Sequence, residues 1–120
     1  MTNGAIPILR VGEVLLVSVQ TDLHDALAET FQADVLLAIE KTGVRGLLVD
    51  ISALDVVDSY VARVLADMGR MARLMGTETV LCGMRPEVAA TLVAMGYLMT
   101  GVRTALNVDD GLLLLREAPR

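Results

Sequence analysis

The chain has 120 residues, the length of one domain, and 54% of them are hydrophobic, yet only Phe31, Tyr60 and Tyr97 are aromatic. A chain of this size buries ~65% of the surface that it exposes when unfolded, so its core must be built from Leu, Val, Ile, Ala and Met, a mixture that favours helices packed on a small sheet. The net charge of −5 excludes the basic footprint that nucleic-acid binding needs and leaves basic protein surfaces open as partners.

Cys82 is the single cysteine, which excludes an internal disulfide and fits a reducing compartment. The opening stretch MTNGAIPILRVGEV lacks the charged-then-apolar layout of a secretion signal. The longest uninterrupted apolar run, VLLAI, falls far short of the ~20 residues of a membrane helix. The expectation is a cytoplasmic protein with no membrane association, forming one domain over residues 1–120.

In chain order, IPILRV and VLLVSV flank Gly12 and Glu13 and read as a short hairpin. In the next segment Leu23, Leu27, Phe31, Val35 and Ile39 recur at steps of four, as on a helix face. Thr21 or Asp22 is placed to cap its start, Lys41 suits its negative end, and Gly43 is placed to stop it. The run GLLVDI predicts a strand buried on both faces. A second helix follows from Ser59, with Val61, Val64, Leu65, Met68, Ala72 and Met75 as its apolar stripe and Tyr60, Arg63, Asp67 and Arg70 on the other face. ETVLCG predicts another strand, Pro86 the first turn of a third helix and Gly96 its end. RTALNV predicts a short last strand. DDGLLLLREA predicts a closing helix, its acids at the positive end and Arg116 near the negative one. The order is β-β-α-β-α-β-α-β-α. This predicts an α/β fold: a small mixed sheet of about five strands, an N-terminal hairpin followed by parallel strands, packed with about four helices.

Few residues invite chemistry. His24 is the one histidine and reads as a solvated helix residue between Leu23 and Asp25. Cys82 lies in an apolar strand, as a core residue would. One Cys and one His cannot build a usual zinc site within one chain, and GTETVLCGMRP lacks the spacing of a phosphate loop. Asp50, Asp55 and Asp58 gather around one strand-to-helix loop. They read as a weak magnesium site or, more plainly, as solvated loop and cap residues, with Asp50 satisfying loop amides. Met68, Met71, Met75, Met84, Met95 and Met99 read as core gap-fillers or as an adaptable interface.

Ser59, in VVDSYVARV, has three available roles: nucleophile, helix cap, or acceptor of a phosphate. The surroundings lack the glycines of a nucleophile elbow and no histidine or lysine base is near in sequence, which argues against catalysis. As a cap its oxygen would accept from a first-turn amide. Asp58 is equally placed for that task, and would leave Ser59 at the first helical position with its hydroxyl outward.

Over nearly its whole length the chain resembles the STAS domain family, which includes sulfate-transporter tails and antagonists of anti-sigma factors. The resemblance rests on LLVDISALDVVDSYVARVLADMGRMARLMGTETVLCGMRPEVAATLVAMGY and on TALNVDDGLLLL. It consists of an apolar strand ending in Asp50, a loop, Asp58-Ser59 at a helix start, and a later apolar strand leading to a short helix. Where many antagonists follow the serine with small residues and a glycine, Tyr60 and Val61 stand here. VVDSYVARVL is therefore more similar to the small single-domain type found in stressosomes.

That resemblance implies a phosphoprotein with no catalytic residue, no metal and no cofactor. It would sequester a serine/threonine switch kinase and be phosphorylated by it on Ser59. It would assemble as homo- and hetero-oligomers with a larger STAS-bearing sensor paralogue in a large complex, and be reset by a serine phosphatase. Released kinase would then activate a stress or sigma-factor pathway. Asp55, Asp58, Tyr60, Arg63 and the loop from Leu54 to Asp58 would line the partner surface. The alternatives are an anti-sigma-factor antagonist, or a generic STAS interaction domain with a nucleotide or lipid ligand. A small enzyme using Ser59 with the neighbouring carboxylates is a further reading, disfavoured by the missing base.

Overall fold

A computed structural model describes residues 6–96 and 101–117, without the side chain of Glu117. Tyr97 and Met99 lie outside the described residues. Five strands form one sheet in the order of the chain: β1 (Ile8–Val11), β2 (Val14–Ser18), β3 (Gly46–Asp50), β4 (Glu78–Cys82) and β5 (Val102–Ala105). The β1–β2 hairpin is antiparallel with Val11 opposite Val14, and every later pairing is parallel. Between and after the strands lie α1 (Asp25–Thr42), α2 (Ser59–Leu74), α3 (Pro86–Ala94) and α4 (Val108–Glu117). The α/β architecture expected from the sequence is the one formed.

The strands step across the sheet in one direction. Crossovers of one hand then place their helices on one face of the sheet, and α1, α2 and α3 do share a core. That core joins Phe31, Val35 and Ile39 of α1 to Val61, Leu65 and Met68 of α2 and Val88 and Leu92 of α3. Beneath them lie Leu15, Val17, Leu47, Val49 and Leu81 of the strands. The alternate strand residues Leu48, Val80 and Cys82 point the other way, onto Leu115 of α4. β3 is thus buried on both faces, as its unbroken apolar run predicts. Each fully buried Leu or Val there contributes about 1.5–3 kcal/mol relative to exposure. Among the described residues two threonines are buried: Thr77, whose Oγ1 donates to Val44 O at 2.9 Å, and Thr79, whose Oγ1 has no hydrogen-bond partner.

Element ends follow the sequence with three corrections. Gly43 closes α1 at φ +67°, its amide donating to Ile39 O at 2.8 Å, in the left-handed conformation that glycine adopts without strain. Its start is neither at Thr21 nor at Asp22. The chain stays extended until His24, the N-cap residue, whose side chain makes no capping bond. Leu23 is buried just before the helix, and Asp22 is used elsewhere. The last strand covers Val102–Ala105 rather than 103–108. The chain bends at Leu106 and Asn107 because Asn107 Oδ1 accepts from Asp110 N at 2.8 Å and opens α4. Met75, assigned to the α2 stripe, sits at its C-terminal cap and is exposed.

Gly69 marks the close approach of α2 to β5. A Cβ there would lie 2.2 Å from Cγ2 of Val102, a side chain stiff at χ1. In an exposed helix Gly→Ala stabilises by up to about 1 kcal/mol. Here overpacking reverses the sign, and Gly69→Ala should lower stability by about 1–3 kcal/mol. A urea-unfolding midpoint equal to or above that of the parent chain would contradict this packing.

Candidate functional site

β3 delivers the chain to the site. Asp50 ends the strand, and its Oδ1 accepts from Ser52 N at 3.0 Å, turning the backbone out of the sheet. Gly83, at the end of the neighbouring strand, permits this turn. It sits at φ +76°, and a Cβ on it would lie 2.9 Å from Asp50 Oδ1 and 2.8 Å from Ser52 Cβ. No L-residue fits without displacing the loop.

From there to α2, every third residue points inward: Ile51, Leu54 and Val57 are all buried. Their side chains peg a loop that has no strand or helix of its own. The loop from Leu54 to Asp58 was expected to line a partner surface, but Leu54 and Val57 are structural pegs, and Asp55, Val56 and Asp58 alone face outward. Val56 is 64% exposed, a large apolar side chain standing between acids.

Arg85, just before α3, ties the loop from outside. Its Nε donates to Ser52 O at 2.8 Å and its Nη1 to Asp55 Oδ1 at 2.7 Å. Both partners of the ion pair are about half exposed, so its contribution to stability is at most about 1 kcal/mol. Its effect is positional. On the other side Asp55 N donates to Asp22 Oδ1 at 3.3 Å, which joins the loop to the approach of α1.

Asp58 caps α2. It lies in extended backbone at φ −87°, ψ 177°, and its Oδ1 accepts from Val61 N at 2.8 Å. Ser59 is therefore the first helical residue, exposed, with its hydroxyl relieved of the capping task. Tyr60 is half-buried against the core, and its Oη donates to Glu29 Oε2 of α1. That accepting carboxylate, with partial burial, pushes the phenol pKa upward and keeps it protonated. Arg63 is exposed one turn further along the helix. The geometry thus brings Asp55, Asp58, Ser59, Tyr60 and Arg63 to one end of the molecule.

His24 is exposed at the start of α1. Cys82 is buried in β4, where desolvation, aided by the Asp50 charge, pushes its thiol up to about 11. Among the described residues, no three His, Cys, Asp or Glu gather as metal ligands would. Asp50, Asp55 and Asp58 instead serve a turn, an ion pair and a cap. Arg85, Glu29 and Gly83 complete the site without having been singled out in the sequence, and Asp22, read there as a helix cap, joins them through its bond to Asp55 N.

Two measurements check this arrangement. Asp58→Ala should destabilise the chain by about 1 kcal/mol, whereas Ser59→Ala should cost only a few tenths. Equal losses in urea unfolding would mean that the cap is shared. Cys82 gives a pH signature. A folded-state pKa raised above the ordinary value of 9.0 to about 11 favours the neutral thiol in the fold. Its contribution is whole below about pH 9 and is lost as the pH rises through about 11. Stability should therefore fall more steeply between about pH 9 and about pH 11 in the parent chain than in Cys82→Ala. Parallel slopes would contradict the buried neutral thiol.

The comparisons with known proteins agree with this fold. The STAS domain family matches residues 5–111. A solved structure of Moorella thermoacetica RsbS, in a form with one serine replaced by glutamate, is 40% identical, with a TM-score of 0.83 over 94% of this chain and 96% of that one. A chain of the solved stressosome is 39% identical, with a TM-score of 0.74 over 92% of this chain and 96% of that one. Among curated proteins, the RsbT co-antagonist RsbRD of Bacillus subtilis is 33% identical over 91% of this chain but only 35% of its own length. The chain spans about a third of the length of such co-antagonist relatives. Its relatives are thus stressosome proteins and anti-sigma-factor antagonists. Among the described residues no helix is long and apolar enough to cross a membrane. With the match covering 5–111 and the five-stranded sheet carrying its helices in the expected order, this chain belongs to the STAS domain family.

Proposed function

We propose that this chain is a non-catalytic stressosome scaffold and antagonist in the cytoplasm, which holds a serine/threonine switch kinase and releases it when Ser59 is phosphorylated. A larger STAS-bearing sensor paralogue is its assembly partner and a serine phosphatase resets it. The observation that carries this reading is the division of labour at the start of α2. Asp58 holds the cap, and Ser59 stands exposed beside it with no structural duty. The relatives support it at the level of assembly: one solved neighbour belongs to a stressosome, and the co-antagonists are named for RsbT.

The physics of the modification favours a change of surface over a change of fold. A phosphate on Ser59 adds about −1.5 to −2 charges. The positive end of α2 favours it by about 0.3–1 kcal/mol. Asp58 opposes it by a similar amount, since unit charges ~4 Å apart in water interact by about 1 kcal/mol. These contributions nearly cancel, so α2 keeps its cap and its length. A partner docked on Ser59 would have to desolvate the phosphate without pairing it, at a cost of several kcal/mol. That is enough to release it. Tyr60, anchored to Glu29, and Arg63 flank the point of contact.

Mixing the chain with its switch kinase and ATP should add a single phosphate by mass spectrometry, at Ser59 and absent from Ser59→Ala. Ser59→Ala should retain the kinase in pull-down and Ser59→Asp should lose most of it, while circular dichroism shows both folded. Equal retention by the two variants, or a phosphate found elsewhere, would refute the proposal.

A further inference from the structure

Exposed arginines stand on α2 and beside the loop that leads into it, and two of them are already paired. Arg70 holds Asp67 of the same helix at 2.6 Å. Arg85 holds Asp55 at 2.7 Å and also donates to Ser52 O. Arg63 differs. It is exposed and, among the described residues, makes no hydrogen bond or ion pair. The neighbouring acids are engaged elsewhere: Asp67 with Arg70, Asp58 as the cap on Val61 N, and Glu29 with Tyr60.

Ser59 and Arg63 stand at i and i+4 on α2, and both are exposed. That spacing puts them on one face of the helix with their Cβ atoms about 5–6 Å apart. Helical side chains lean toward the N-terminus, so the Arg63 stem runs back over the turn that carries Ser59. Tyr60, the next residue, feels both the Glu29 carboxylate, which raises its phenol pKa, and the Arg63 charge, which opposes that rise. An acidic group followed at i+4 by a basic one is also the favourable orientation for a helical pair. Arg73, in the last turn, lies about 20 Å further along, beyond the ~10 Å screening length of 0.1 M salt.

We propose that Arg63 is the counter-ion of a phosphate on Ser59: once the serine is modified, the guanidinium turns onto the phosphate oxygens of its own helix and leaves Asp58 in place as the cap. Without such a partner the new anion competes with Asp58 for the first-turn amides, because its oxygens are acceptors too and it carries about −1.5 to −2 charges against one. Arg63 removes that competition by giving the phosphate donors of its own. A guanidinium meets two phosphate oxygens as a fork, a charge-assisted geometry that an ammonium does not reproduce. It neutralises a single charge, so the modified surface stays negative by about −0.5 to −1 and docking on Ser59 is still opposed. The inference rests on Ser59 as the phosphate acceptor and adds what holds the phosphate once it is there.

Phosphoserine installed in place of Ser59 during translation makes the test independent of any kinase. In a phosphorus NMR titration of the whole chain at low salt, the phosphate should titrate about half a pH unit below the same chain carrying Arg63→Ala, as a charge-assisted pair on a helix surface would give. The other ionisable groups at this end are common to both chains: Asp22, His24, Asp25 and Glu29 at α1, Asp55 and Asp58 of the loop, and Arg85 before α3. Arg63→Lys should recover only part of the difference, and Arg73→Ala should leave the phosphate where the parent has it. Unmodified Arg63→Ala should melt with the unmodified parent, whereas modified Arg63→Ala should melt below the modified parent. A phosphate that titrates alike with and without Arg63 would overturn the proposal. So would one displaced by Arg85→Ala instead, or displaced equally by Arg73→Ala. Whether a switch kinase and ATP modify Ser59 is read separately by mass spectrometry, so failure of that reading and failure of this one are distinguishable.

Discussion

The constraint on which this molecule depends is the steady march of its strands across one sheet. Because β2 to β5 are parallel and consecutive, α1, α2 and α3 are all drawn to one face, and β3 is sealed between that layer and α4. A strand buried on both sides has no polar alternate, which is why Leu47, Leu48 and Val49 follow one another without interruption. The whole candidate site hangs from that strand. It fixes where Asp50 turns the chain outward and hence where α2 begins. The same arithmetic leaves the hairpin with half the cover of its neighbours.

At the site, rigidity comes from the pegs rather than from regular structure. Ile51, Leu54 and Val57 anchor a loop whose internal hydrogen bonds are two short turns, Ser52 N to Asp50 Oδ1 and Leu54 N to Ile51 O, both at 3.0 Å. Burying three apolar side chains is worth several kcal/mol in total, whereas the exposed Arg85–Asp55 pair adds at most about 1. The pegs therefore decide that the loop is ordered, and Arg85 decides which way its outer residues face. Asp58 completes the design by taking over a duty that Ser59 was chemically able to perform. A hydroxyl used as a cap would have to surrender that bond on modification; one that is idle can change charge without disturbing the helix.

Much of this was legible in the sequence where the signal is local. The apolar run of β3, the turn at Gly12 and Glu13, the stop at Gly43 and the helix start at Asp58-Ser59 all depend on neighbours within a few residues. The errors were equally instructive. Asp22 has the chemistry of a helix cap, but its carboxylate is engaged by the amide of Asp55, a residue 33 positions away. With Leu23 drawn into the core, the chain runs on to His24 before it coils. Asn107 cut the last strand short because its side chain opens α4. Arg85 gave no signal at all, since nothing in MRPE distinguishes a solvated arginine from one that clamps a loop 30 positions earlier.

The pairing of Tyr60 with Glu29 has an optical consequence. The chain contains no tryptophan and only two tyrosines, so its ultraviolet emission is that of phenol rings, one of which adjoins Ser59. A ring whose hydroxyl leans on a carboxylate is dimmed, because the excited phenol sheds its proton to that base. Any event that draws Tyr60 off Glu29 would brighten the protein. The molecule thus carries its own lamp beside Ser59, readable without a label.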